Sequence, residues 1–254
     1  MPEGDTLHRA AARLRPLLEG RRVRALALPR RGQRIDALTG KRIELVEARG
    51  KNLLITFEGG TVLHTHLQMN GAWRGYGPGE RVPAITGDVV VAIEVDGAVA
   101  LCFRAPTVRL LRASALVADE TIGALGPDPI RDDFDADAAL ARLRERDAEP
   151  LGVAILDQRA IAGIGNVWKS ELLFEQRLDP FAPVARFADD ELRKLLARAV
   201  AHMRHGMRPS RVYRRAGRAC SRCRGAIAME RQGPLHRSTY FCPRCQPARA
   251  EASP

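Results

Sequence analysis

Four of the chain's five cysteines fall into two Cys-x-x-Cys pairs, Cys220 with Cys223 and, after eighteen intervening residues, Cys242 with Cys245. Few patterns constrain a fold more tightly. The spacing predicts a tetrahedral tetrathiolate site for one structural zinc ion, with the residues between the knuckles folded back as a β-hairpin. Turn-forming Gly233-Pro234 and the β-prone run Ser238 to Phe241 suit that hairpin. With all four positions filled, the metal has no place for a catalytic water. Disulfides are the competing reading, disfavoured because nothing in the chain signals export. Glu3 and Asp5 stand where a basic and then apolar leader would be, and no apolar run is long enough to span a bilayer. A cytoplasmic protein with no membrane partner is expected, and there thiols stay reduced. Cys102, in the apolar run Leu101-Cys102-Phe103, reads as a buried structural thiol. His64 and His66 alternate on a predicted strand without an obvious third ligand, so no second metal site is expected.

Charge points to a polyanionic partner. The 41 basic residues outnumber 30 acidic ones, a formal net charge of +11. Residues 204–249 hold twelve arginines against one acid, Glu230, and carry no amphipathic apolar stripe that would lie on a membrane surface. Nucleic acid is the expected partner. Lysines, by contrast, number only four: Lys41, Lys51, Lys169 and Lys194.

Periodicity divides the chain. Asp5, Leu7, Ala10, Ala11, Leu14, Leu17 and Leu18 have helical spacing ended by Gly20. The period then changes to two, with strands expected at 43–46, 52–57, 61–67, 89–95, 99–103 and 108–112 and turns at Glu58-Gly59-Gly60 and Asp96-Gly97. Turn formers crowd Gly123 to Pro129, and helices are expected over 135–146, from Pro150, within 160–177 and over 189–205. The fold class is α+β, with an N-terminal helix and antiparallel β-sandwich over 1–115, a linker over 116–130, a helical domain over 131–210 and the cysteine module over 211–248.

Three local features carry chemistry. Removal of Met1 would expose the secondary amine of Pro2, a group that titrates near 7.7 to 8.0 and can attack a sugar aldehyde carbon, with the Glu3 carboxyl beside it. The plain alternative is a helix start with an acid near its dipole. Lys51 follows Arg49-Gly50 at a strand edge, where a solvated lysine would also discourage strand pairing. In Gly163-Ile164-Gly165-Asn166, glycines at a helix start would let backbone amides approach a phosphate, with Asn166 adding a donor, or would simply make a tight turn between helices.

Taken in order, Pro2-Glu3, Lys51, Leu125-Gly126-Pro127-Asp128-Pro129, the Gly163–Asn166 turn and the tetracysteine hairpin resemble the formamidopyrimidine-DNA glycosylase and endonuclease VIII family. The resemblance extends from Pro2 to Gln246. It implies a β-sandwich and a helix-two-turn-helix domain flanking a cleft for damaged DNA, acting as a monomer on the nucleoid. It assigns Pro2 as the nucleophile that displaces the damaged base and forms a Schiff base, Glu3 as the proton carrier and Lys51 as an aid at the sugar-phosphate. Asn166 and Arg237 would hold phosphates beside the lesion. Gln68, Met69 and Asn70 lie where the family carries the wedge that fills the gap left by a flipped nucleotide.

Two branches of the family differ in substrate. Glu3-Gly4-Asp5 and Gln68 look like the endonuclease VIII branch, whereas Arg104-Ala105-Pro106-Thr107-Val108-Arg109 lacks the aromatic residue of the purine branch. The expected activity is therefore a bifunctional glycosylase and abasic-site lyase for oxidised pyrimidines, cutting by β,δ-elimination. Met69 and Asn70 depart from the Leu-Tyr of the better-known endonuclease VIII. An 8-oxoguanine-type purine glycosylase and a noncatalytic zinc-containing DNA-binding protein are the alternatives.

Overall fold

The computed structural model describes residues 2–206 and 210–249. The chain divides into two compact units, Met1–Ala124 and Leu125–Pro254. Met1, whose removal the sequence reading requires, lies outside the described residues.

The first unit begins with helix α1 (Gly4–Leu18), whose Leu7, Ala11, Leu14 and Leu18 are all buried. Strands β1 (Val23–Leu28), β2 (Gln33–Arg34), β3 (Ile43–Arg49), β4 (Asn52–Phe57), β5 (Thr61–His66), β6 (Ala72–Tyr76), β7 (Val89–Val95), β8 (Ala98–Phe103) and β9 (Thr107–Arg112) follow. They pair antiparallel in two sheets, ordered β2-β1-β7-β8-β6 and β3-β4-β5-β9. Side chains alternate across each strand, so Leu53, Ile55, Phe57 and Leu63 of one sheet share a core with Val91, Ile93, Ala100 and Cys102 of the other. Trp73 on β6 donates its Nε1–H to Thr65 Oγ1 on β5 at 2.9 Å, satisfying a buried polar group across that core. The outer border of β3 is closed by α1. Arg15 Nε donates to Val46 O at 2.9 Å, and Val46 N–H donates to Glu19 Oε1 at 2.6 Å.

Three strands escaped the alternation test. In β1 the register shifts between Val23 and Ala25, which breaks the period of two. β2 is only two residues long and fully exposed. β6 contains Gly75, where an added Cβ would meet Leu17 Cδ1 of α1 at 2.4 Å, so the strand lacks a side chain there in order to admit the helix.

In the second unit Asp135 caps α2 (Ala136–Arg144), accepting the amides of Asp137 and Ala138 at 2.9 Å each. A single turn, α3 (Leu151–Ala154), follows Pro150, which caps it in an extended conformation instead of opening it. Helix α4 (Asn166–Gln176) has Val167 through Phe174 buried, and α5 (Asp189–His205) ends on Gly206 in the left-handed region. Strands β10 (Ala228–Gln232) and β11 (Arg237–Phe241) form the expected hairpin, with Gly233 at φ +69° in its turn. Among the described residues no helix is long and apolar enough to cross a membrane.

Candidate active site and metal centre

The four cysteine sulfurs lie within 4.8 Å of one another. Cys220 Sγ is 3.9 Å from Cys245 Sγ, and Cys223 Sγ is 3.4 Å from Cys242 Sγ. A tetrahedral ion with Zn–S bonds of about 2.3 Å requires sulfur separations of about 3.8 Å, whereas a disulfide would require about 2.05 Å. The donor set and its spacing therefore fit zinc. Among the described residues this is the one cluster of three or more His, Cys, Asp or Glu side chains able to hold a metal. His64 instead pairs with Asn52 through Nε2 at 2.9 Å, and burial pulls it down to about 4. Cys102 is fully buried, and burial pushes its thiol up.

The two glycines at 163–166 differ in conformation. Gly163 has φ +89° and needs to be glycine, but Gly165 is extended at φ −119°. The Gly163 amide is already committed, donating to Gln158 Oε1 at 3.0 Å. The Gln158 amide in turn donates to Leu156 O at 2.7 Å and Ile164 O at 3.1 Å. Gln158 is thus the brace of this turn, a role that a lone glutamine in a sequence does not advertise. What the turn delivers is the positive end of α4, with half-buried Asn166 as its first residue.

Arg237 opens β11, is exposed, and makes no ion pair among the described residues. Arg222, between Cys220 and Cys223, is also exposed. Its guanidinium nevertheless donates to Phe174 O at 2.6 Å and Glu175 O at 3.0 Å while stacking over the Phe174 ring, so it caps the end of α4.

In the first unit, Glu3 is fully buried at the start of α1. Its carbonyl accepts from the amides of Thr6 at 2.9 Å and Leu7 at 3.2 Å, and its own N–H donates to Thr6 Oγ1 at 3.4 Å. The dipeptide is therefore a helix start, and that start is what holds half-buried Pro2 and the Glu3 carboxyl in place. Lys51 is half-buried in the tight β3–β4 turn, behind Gly50 at φ +56°, and α1 packs against both of those strands. Lys51 lies close enough to His66 that its charge, after burial, lowers the imidazole's proton affinity.

Gln68, Met69 and Asn70 form an exposed turn, with Met69 54% exposed instead of packed in the core. The turn is held from both sides. Gln68 adopts φ +47°, and Gly71 donates to Leu67 O at 3.0 Å so closely that a Cβ would lie 2.6 Å from that oxygen. Arg104, itself at φ +51°, donates to Asn70 O at 3.3 Å and to Asp88 at 2.7 Å.

Comparison with known proteins accounts for these parts together. Residues 1–107 match the formamidopyrimidine-DNA glycosylase N-terminal domain, 125–214 the H2TH domain of that glycosylase, and 217–248 a zinc finger found in FPG and IleRS. A probable endonuclease 8 2 of Streptomyces coelicolor is 37% identical over 267 residues, covering 97% of this chain and 94% of its own. The chain belongs to the formamidopyrimidine-DNA glycosylase and endonuclease VIII family. A family member from Chloroflexus aggregans, a formamidopyrimidine-DNA glycosylase, is 33% identical over 97% of this chain and 98% of its own. The family fold is seen in Lactococcus lactis Fpg, solved with DNA containing N7-benzyl-Fapy-dG. It superposes with a TM-score of 0.81 at 21% identity, covering 97% of this chain and all of that one. The α+β architecture, the H2TH domain and the zinc-finger cysteines expected from the sequence are thereby established.

Proposed function

We propose that this family member is a bifunctional DNA glycosylase and abasic-site lyase of the endonuclease VIII branch, acting on oxidised pyrimidines. The observation that carries the reading is the start of α1, where a fully buried carboxyl adjoins the residue whose amine would react. Once Met1 is removed, the neutral Pro2 nitrogen attacks the anomeric carbon, the base leaves with its bonding electrons and a proton, and the nitrogen lone pair completes an iminium. Glu3, shielded from bulk water, moves protons to and from the sugar ring oxygen as the ring opens. Loss of the C2′ proton then expels the 3′ phosphate, and a second elimination expels the 5′ phosphate. Lys51 neutralises charge that develops at the sugar-phosphate, while Asn166 and Arg237 grip flanking phosphates and Gln68, Met69 and Asn70 fill the vacated stack. One zinc ion would hold the hairpin, the protein would act as a monomer in the cytoplasm, and catalysis would belong to residues 1–115.

Two observations support the pyrimidine branch. The S. coelicolor relative carries an endonuclease 8 name at 37% identity, against 33% for the C. aggregans glycosylase. In addition, the segment that would supply the purine-branch filler is β9, where Val108 is buried and Arg109 is paired with Asp119. Borohydride reduction on thymine-glycol and 8-oxoguanine duplexes tests both points. A trapped adduct on the N-terminal peptide with the thymine-glycol duplex is expected. An adduct elsewhere, or none, would remove the Pro2 mechanism, and faster trapping on 8-oxoguanine would reverse the branch.

A further inference from the structure

Lys169 is fully buried. It also lies in the first turn of α4, where the helix dipole opposes a positive charge. An apolar side chain of similar length would fill that space without either cost. Lys169 Nζ donates to Thr239 Oγ1 on β11 at 2.7 Å, and Gln232 Nε2 on β10 donates to the same oxygen at 2.6 Å. A hydroxyl oxygen has two acceptor sites, and here both are used. Directly beside this junction the Tyr240 amide donates to Ser170 Oγ at 3.2 Å, so helix and hairpin are laced at consecutive residues.

The positions of these groups matter. Asn166 and Lys169 are three residues apart on α4 and therefore share a face. Arg237 and Thr239 are two apart on β11 and also share a face, and Gln232 is the cross-strand partner of Arg237. A bond from Lys169 to Thr239 thus sets the separation of Asn166 from Arg237, one turn back along the helix and one pleat back along the strand. We propose that Lys169, through Thr239, is the positioning residue that holds the two phosphate-gripping side chains at the spacing of neighbouring phosphates. The assignment rests on reading Asn166 and Arg237 as phosphate contacts.

The test uses the full-length zinc-loaded protein and a duplex containing a tetrahydrofuran abasic analogue for binding. Lys169→Met is expected to weaken binding about tenfold, the cost of one hydrogen bond from a charged donor. Zinc content and melting temperature should change little, and the borohydride-trapping rate on an abasic duplex at saturating DNA should be unaffected. Combined with Arg237→Ala, Lys169→Met should add almost nothing, because an arginine already removed cannot be mispositioned. Wild-type binding by Lys169→Met, or full additivity with Arg237→Ala, would overturn the proposal. Thr239→Val and Thr239→Ser provide a second route if Lys169→Met does not fold: the valine variant should reproduce the loss and the serine variant should restore binding. Equal binding by these two variants also overturns it. If Arg237→Ala itself binds normally, the phosphate reading of Arg237 fails first, and the proposal falls with it for that separate reason.

Discussion

The β-sandwich and the cysteine hairpin reach a defined shape by different means. The sandwich draws buried side chains from α1 and both sheets into one continuous apolar cluster. The buried cluster beneath the hairpin comprises Phe174, Val212, Cys220, Ile227 and Cys242, and two of its five members are zinc-finger cysteines. Apolar burial contributes roughly 25 cal/mol per Å², so a cluster this small adds little, and a metal on the four cysteines would supply what burial lacks. The proposed chemistry and the proposed grip divide along the same line. Pro2, Glu3 and Lys51 sit on the apolar scaffold, whereas Arg237 sits on the cysteine hairpin.

Four experiments would break or sharpen that contrast. The largest effect is expected from a single glycine inserted before Pro2, which should reduce borohydride trapping to background while melting and DNA binding persist. Loss of binding as well would show that chemistry and grip are not separable. Next is zinc removal by chelation or by Cys242→Ser, which should abolish tight DNA binding and leave the sandwich folded. The two tryptophans make this visible, because Trp73 lies in the sandwich core and Trp168 lies in α4. The fluorescence change on chelation should persist in Trp73→Phe and vanish in Trp168→Phe. A change carried by Trp73 would show that the metal also supports the sandwich.

Third, Ile55→Ala should cost about 2–5 kcal/mol by leaving a cavity in the sandwich, with zinc content unchanged. The fourth concerns acid. His64 is held neutral by burial, with its folded value at about 4 against an ordinary 6.5, so an unfolded chain binds a proton that the folded one refuses. Sandwich stability is therefore complete above pH 6.5 and declines as pH falls toward 4, by roughly 3 kcal/mol at most. His64→Gln should flatten that slope in urea titrations taken at several pH values. An unchanged slope would place the acid sensitivity elsewhere.

Much of this molecule was legible in advance, for identifiable reasons. The cysteine spacing specifies its own geometry, and the bounds of β4, β7 and α5 follow from period and punctuation. β1 and β6 were hidden because a bulge and a helix-admitting glycine each break the period that reveals strands. At the site, residues with distinctive chemistry were visible, whereas those that position them were not. Gln158 acts through local backbone carbonyls, Arg104 reaches Asn70 O across thirty-four residues, and Lys169 meets Thr239 across seventy residues of chain. No linear pattern encodes such meetings, which exist only once helix and hairpin have packed.

Arg15 and Glu19 look like two ordinary surface charges at the end of a helix. Their bonds to Val46 occupy the peptide groups through which β3 would otherwise accept another strand. An exposed strand border is adhesive toward any extended chain, including a second copy of itself. The helix that presents Pro2 at one end therefore seals the sheet with the other, and both duties depend on α1 keeping its seat on β3. Neutral substitutions at positions 15 and 19 would carry a penalty in solubility before any in catalysis.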